Sequence, residues 1–130
     1  MKREGELKSA FGTELKRLPG FYMFQIATAG WPDRGIVGAG RTTFWEFKHG
    51  TPDFDSPGNQ ELTCQRLALH GGWCRYVVWQ ENAKGVGQRT LIVHPREVAG
   101  RSNWNLQPES WCVGYDHRWL VNKIREAHRS

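Results

Sequence analysis

Apolar residues recur at helical spacing in the first part of the chain. The spacing predicts a helix over residues 3–18, with Lys8 off its apolar stripe and Pro19-Gly20 ending it. The stripe consists of Leu7, Phe11, Leu15 and Leu18. We expect this stripe to pack on the core.

Three strands are predicted next, two of them joined by a tight turn. Residues 21–27 are rich in aromatic side chains, include a β-branched residue and carry no charge, which is typical of a buried strand. After a loop over residues 28–34, the segments 35–37 and 42–48 flank a glycine-rich stretch over residues 38–41. This pattern favours an antiparallel hairpin.

The second half predicts a helix, two strands and a closing helix. Ser56 is a candidate helix-capping residue, and Pro57 follows it at the first helical position. A second helix should therefore run from there to about His70. The elements predicted after it are strands over 74–80 and 89–94, an irregular stretch over 95–110 and a helix to about residue 128. The resulting order, αβββαββ plus a C-terminal helix, predicts one α/β domain.

Charge and composition narrow the class of protein. The 130 residues include 18 Lys and Arg against 13 Asp and Glu, a net charge of +5 that favours nucleic acid as a partner over anionic lipid. Residues 1–6 lack the apolar stretch of a signal peptide, and an odd number of cysteines (Cys64, Cys74 and Cys112) favours reduced thiols. We therefore expect a cytoplasmic protein without a membrane span.

Seven tryptophans are scattered along the chain. They fit either a core rich in aromatic side chains or a surface that binds single-stranded nucleic acid. Their scattered positions favour the core.

The residues with the clearest chemistry lie around the predicted hairpin. Strand alternation places Glu46 and Lys48 on one face, and Trp45 and Phe47 on the other. Asp33 precedes the first hairpin strand, so the hairpin can bring it close to Glu46. Two carboxylates at a sheet edge suit Mg²⁺, and a neighbouring lysine suits phosphodiester hydrolysis. The alternative is a surface Glu–Lys pair beside an ordinary turn aspartate.

These residues resemble a nuclease signature. Pro32-Asp33 followed by Glu46-Phe47-Lys48 resembles the motif of the PD-(D/E)XK nucleases, and residues 30–34 are similar to their VRR-NUC (virus-type replication-repair nuclease) branch. In that branch a serine, a glutamine that opens a helix and a glycine that ends it follow the motif. The residues at that spacing here are Ser56, Gln60 and Gly71.

The resemblance assigns roles to individual residues. It implies that Asp33 and Glu46 bind Mg²⁺ or Mn²⁺, with the Phe47 backbone carbonyl as a third ligand. It also implies that Lys48 is the catalytic lysine and that Gln60 supports the site.

The resemblance further implies a glutamate from the first helix. Glu4 lies on the apolar stripe and could reach a metal through water, whereas Glu6 shares its face with solvated positions, so we favour Glu4. For either residue, the alternative is an acidic side chain stabilised by the helix dipole.

The resemblance covers about residues 4–94. It implies a restriction-endonuclease-like core over residues 1–98, with residues 99–130 as an extension packed on the same domain. The basic residues toward the C-terminus could contact phosphate or form a solvated face: Arg101, Arg118, Lys123, Arg125 and Arg129.

The expected function is therefore a metal-dependent DNA endonuclease of the stand-alone phage or bacterial type. Kinship with Holliday-junction resolvases implies branched DNA as substrate and a homodimer that makes symmetric cuts. Two alternatives stay open: a non-catalytic nucleic-acid-binding accessory protein that retains the fold, and a restriction-type enzyme that reads a short duplex sequence.

Overall fold

A computed structural model describes residues 2–50, 59–83, 85–98 and 106–129 of the chain. Within these ranges it contains three α-helices and one six-stranded mixed sheet, which confirms the predicted α/β class. The elements in chain order are α1 (Lys2–Leu15), β1 (Phe21–Gln25), β2 (Arg34–Gly38), β3 (Arg41–Gly50), α2 (Asn59–Leu69), β4 (Cys74–Ala83), β5 (Gly87–Val93), β6 (Ser110–Val113) and α3 (His117–Ala127). A short 3-10 turn spans Pro95–Glu97.

The strands follow one another across the sheet in chain order. Neighbouring strands are antiparallel except β3 and β4, which are parallel and are connected through α2. The predicted hairpin joins β2 to β3, and its turn residues Ala39 and Gly40 both have positive φ, 51° and 77°. A two-residue turn of this kind matches the twist of the strands it joins.

Apolar side chains pack on both faces of the sheet. The cluster under α1 and α3 contains the stripe residues Leu7, Phe11 and Leu15 together with Trp45 and Phe47 from β3. The cluster on the α2 side contains Cys64, Cys74, Tyr76, Val78, Leu91, Val93, Val98 and Leu106. No helix in the described ranges is long and apolar enough to cross a membrane.

The structure contains one strand, β6, that the sequence pattern does not predict. The predicted irregular stretch ends at residue 110, and no element is predicted for residues 111–113. Residues 110–113 form β6, where Cys112 pairs with Thr90 and Trp111 with Leu91 of β5. The strand has only four residues, too few for a clear alternating pattern. The strand count of the predicted order is therefore wrong by one.

Strand β1 was predicted to be buried and instead forms an edge of the sheet. Phe21 and Met23 pack against the core, whereas the side chains of Tyr22 and Phe24 are 71% and 42% exposed. Only one face of this strand is covered, which composition alone could not indicate.

Helix boundaries agree more closely with the predictions. Helix α1 ends at Leu15, three residues early, although Leu18 still packs against the core. Helix α3 begins after Asp116, whose side chain accepts a hydrogen bond from the Trp119 N–H. Ser56 lies outside the described residues.

A chain of buried hydrogen bonds joins the end of α3 to the β2–β3 hairpin. The Trp45 indole N–H donates to Thr43 Oγ1 at 2.8 Å, and Thr43 Oγ1 lies 2.8 Å from His128 Nε2. His128 Nδ1 lies 2.9 Å from the Gly38 carbonyl oxygen. Because a carbonyl only accepts, Nδ1 carries a proton, and in the neutral form of the ring Nε2 accepts from the Thr43 hydroxyl.

Replacing Thr43, which is buried, with valine should destabilise the protein by about 1–3 kcal/mol, because His128 Nε2 and the Trp45 N–H lose their shared hydrogen-bond partner. Urea unfolding measures the effect. The matched control is Thr42→Val, an exposed neighbour on the same strand that should change stability by less than about 0.5 kcal/mol. Equal effects of the two substitutions would contradict this role for Thr43.

Candidate active site

Asp33 and Glu46 meet where β2 begins. In the β2–β3 register Arg34 pairs with Trp45, so Asp33 stands opposite Glu46 one position further on. The Asp33 backbone N–H donates to Glu46 Oε1 at 2.9 Å, and the Phe47 N–H donates to Asp33 Oδ2 at 3.1 Å. Each carboxylate is therefore held by the backbone of the opposite chain segment.

Lys48 completes the group on β3. Its Nζ lies 3.2 Å from Glu46 Oε2, and the two side chains share a face as strand alternation predicts. The opposite face carries Phe47, whose ring is buried and stacks on Trp79 with centroids 5.2 Å apart. The core thus fixes the strand segment that presents Glu46 and Lys48.

Helix α1 contributes Lys8 to the site, although the helical pattern predicts that Lys8 lies off the packed face. Lys8 Nζ lies 3.8 Å from Asp33 Oδ2 and 3.7 Å from Glu4 Oε2. Glu4 and Lys8 are four residues apart, the spacing of a helical Glu–Lys pair, and that spacing was the available signal. Lys8 therefore links the first helix to the two carboxylates.

The remaining predicted site residues differ in their placement. Glu4 is connected to Asp33 through Lys8, whereas Glu6 is exposed. Gln60 is the second residue of α2, and its side chain lies outside the described part of the structure. The Phe47 N–H contacts Asp33, while the role of its carbonyl as a metal ligand stays a prediction.

The pKa of Glu46 is strongly raised. Its side chain is almost fully buried, and this burial together with the neighbouring Asp33 carboxylate raises its pKa to about 8. The ion pair with Lys48 opposes the shift without cancelling it. Near neutral pH a large fraction of Glu46 is therefore protonated.

The chemistry of these residues fits a divalent cation. Two carboxylates that face each other repel when both are ionised, and a bound cation removes that repulsion. Oxygen ligands of this kind suit Mg²⁺ or Mn²⁺. No cluster of three or more His, Cys, Asp or Glu side chains suited to a metal occurs in the described ranges.

No known family model matches this sequence, and no curated protein matches it significantly. The geometry of the site is therefore the basis for assigning a function.

Replacing Glu46 with glutamine should change how stability depends on pH in metal-free protein. Folding raises the Glu46 pKa from 4.5 to about 8, so the folded chain retains a proton that the unfolded chain has lost between these values. The contribution of Glu46 is therefore fully present below pH 4.5 and is lost as the pH rises through about 8. Relative to the parent, Glu46→Gln should gain stability over this range.

Urea unfolding in EDTA at several pH values measures this difference. The control is Glu6→Gln, which removes an exposed carboxylate from α1 and should give a constant offset. A constant offset for Glu46→Gln as well would show that its pKa is not raised.

Proposed function

We propose that this protein is a Mg²⁺- or Mn²⁺-dependent endonuclease that hydrolyses phosphodiester bonds in DNA. The observation that supports the proposal is the contact of Asp33 with Glu46, with Lys48 Nζ 3.2 Å from Glu46. Two carboxyl groups and an ammonium group thus lie together at one point of the sheet, and metal-assisted cleavage of an anionic backbone uses groups of these kinds.

In this proposal the residues have separate tasks. Asp33 and Glu46 would hold the divalent cation, together with the Phe47 carbonyl and with Glu4 acting through water. The cation would act as a Lewis acid that polarises the scissile phosphate. It would also lower the pKa of a bound water, so that the water can lose a proton and attack the phosphorus. Lys48 would orient the attacking water or offset the charge that develops on the phosphate.

The topology is consistent with the proposed nuclease core. Strands β1 to β3 form an antiparallel meander, and α2 connects β3 to the parallel strand β4. The resulting mixed sheet has helices on both faces. The resemblance to PD-(D/E)XK nucleases of the VRR-NUC branch implies such an arrangement. It also implies a glutamine near the start of this helix, where Gln60 lies.

The substrate and assembly belong to the same proposal. A net charge of +5 supports a polyanionic partner. Branched DNA, a homodimer, a phage or bacterial origin and a cytoplasmic location follow from the resemblance alone. Among the basic residues toward the C-terminus, Arg118 lies 3.5 Å from Glu14 and Lys123 lies 3.4 Å from Glu126, so both already have acidic neighbours.

One observation favours a second candidate, a nucleic-acid-binding accessory protein without catalysis. The ammonium groups of Lys8 and Lys48 lie close to Asp33 and Glu46, and they offset the negative charge of these carboxyl groups, when ionised, without a metal. An ion-paired cluster of this kind could serve stability alone.

A cleavage assay separates the two candidates. Purified protein should cut junction or plasmid DNA with Mg²⁺ or Mn²⁺ and should be inactive in EDTA. Asp33→Asn and Lys48→Met should each reduce the rate by about 100-fold or more, because each removes a group that acts on the reacting phosphate or its metal. Parental rates in both variants would refute the assignment of the site.

The two glutamates of α1 provide a matched pair for the same assay. Glu4→Gln should slow cleavage, because Glu4 is linked to Asp33 through Lys8. Glu6→Gln should cleave at the parental rate.

A further inference from the structure

One face of the first three strands carries aromatic side chains that no other part of the described structure covers fully. Tyr22 and Phe24 alternate with Phe21 and Met23, which pack against the core under α1 and α3. Tyr22 and Phe24 therefore point to the α2 side of the sheet, where they are 71% and 42% exposed.

The backbone beneath these rings allows Phe24 to lie flat. Phe24 pairs with Gly35 across the β1–β2 ladder, and a Cβ atom at Gly35 would come within 2.2 Å of the Phe24 ring. Nearby, Trp31 is 38% exposed and meets Phe44 edge to face, with centroids 6.2 Å apart. We refer to Tyr22, Phe24 and Trp31 as the aromatic surface.

The aromatic surface adjoins the candidate active site on the same face of the sheet. Phe24, Gly35 and Phe44 form one cross-strand row. Glu46, which accepts a hydrogen bond from the Asp33 N–H, lies two residues after Phe44 on β3. Two residues of a strand span about 7 Å. A strand of nucleic acid with one phosphate at the carboxylates would therefore extend its neighbouring nucleotides over these rings.

Charge and chemistry indicate which kind of molecule the aromatic surface binds. The surface continues into the candidate site, where Lys8 and Lys48 form ion pairs with Asp33 and Glu46 and a bound divalent cation would add positive charge. The chain as a whole has a net charge of +5, which favours a polyanion over a second copy of the same basic protein. Flat aromatic rings bind nucleobases by stacking, and they do so without regard to sequence. Paired bases in a duplex are already stacked on one another, so only unpaired bases can use such rings.

We propose that the aromatic surface binds unpaired nucleotides next to the phosphate that is cut. The inference rests on the proposed nuclease function and specifies its substrate: DNA in which a single-stranded segment meets the cleavage site.

Binding measured in EDTA tests the surface independently of cleavage. The probes are a fluorescein-labelled oligothymidylate and a labelled blunt duplex, and the readout is fluorescence anisotropy. The double variant Tyr22→Leu/Phe24→Leu retains apolar area but loses both rings. It should bind the oligothymidylate about tenfold more weakly or worse, with duplex binding changed less than about twofold.

Trp111→Leu is the matched control. Trp111 is 45% exposed and lies on β6, at the opposite edge of the sheet, so its replacement should leave both affinities unchanged. Should the double variant fail to fold, Tyr22→Leu alone decides the question, because Tyr22 is largely exposed.

The possible failures can be told apart. Parental oligothymidylate binding in the variants, or equal losses for both probes, would overturn the proposed role of the aromatic surface. Loss of a dimer in sedimentation without loss of binding would also overturn it and would make the surface an interface between copies. In each of these cases, cleavage by the parent would leave the nuclease proposal standing. If the parent neither bound nor cut DNA, the nuclease proposal itself would fail.

Discussion

Two hydrogen bonds between backbone and carboxylate hold the candidate site together. The Asp33 N–H donates to Glu46, and the Phe47 N–H donates to Asp33, just beyond the last paired residues of β2 and β3. These bonds hold the two carboxyl groups next to each other, although the groups repel when both are ionised. The position of Lys48, the environment of Lys8 and the chemistry that we propose all depend on this contact.

Burying Glu46 next to Asp33 costs stability near neutral pH, which is an argument for function. Burial and the Asp33 carboxylate raise the pKa of Glu46 to about 8, so ionising Glu46 in the folded protein works against stability. Lys48 and Lys8 offset part of the charge. Acidic residues whose pKa values are shifted and that have nearby charged partners concentrate at functional sites. Such sites are arranged to bind a ligand, at some cost in stability.

Local sequence signals predicted the parts of the structure that depend on short-range rules. The turn at Ala39-Gly40 and the shared face of Glu46 and Lys48 follow from hairpin chemistry and strand alternation. The position of Asp33 opposite Glu46 follows once the hairpin register is fixed. These features needed no knowledge of distant contacts.

Features that depend on distant neighbours were not predictable in the same way. Nothing in the composition of β1 indicates whether a further strand or helix covers Tyr22. β6 is recognisable only through its pairing with β5. Lys8 was assigned to the polar side of α1, but it lies at the border of the packed face, where a long side chain can reach the end of the sheet.

Calorimetric titration with Mn²⁺ tests the central claim most directly, because it measures cation uptake by Asp33 and Glu46 without DNA. The parent should bind Mn²⁺ near neutral pH and release protons, since the pKa of Glu46 lies at about 8, so the measured heat should vary with the ionisation enthalpy of the buffer. Asp33→Asn and Glu46→Gln should each remove this binding. Absence of uptake in the parent, or uptake by both variants equal to that of the parent, would contradict the account.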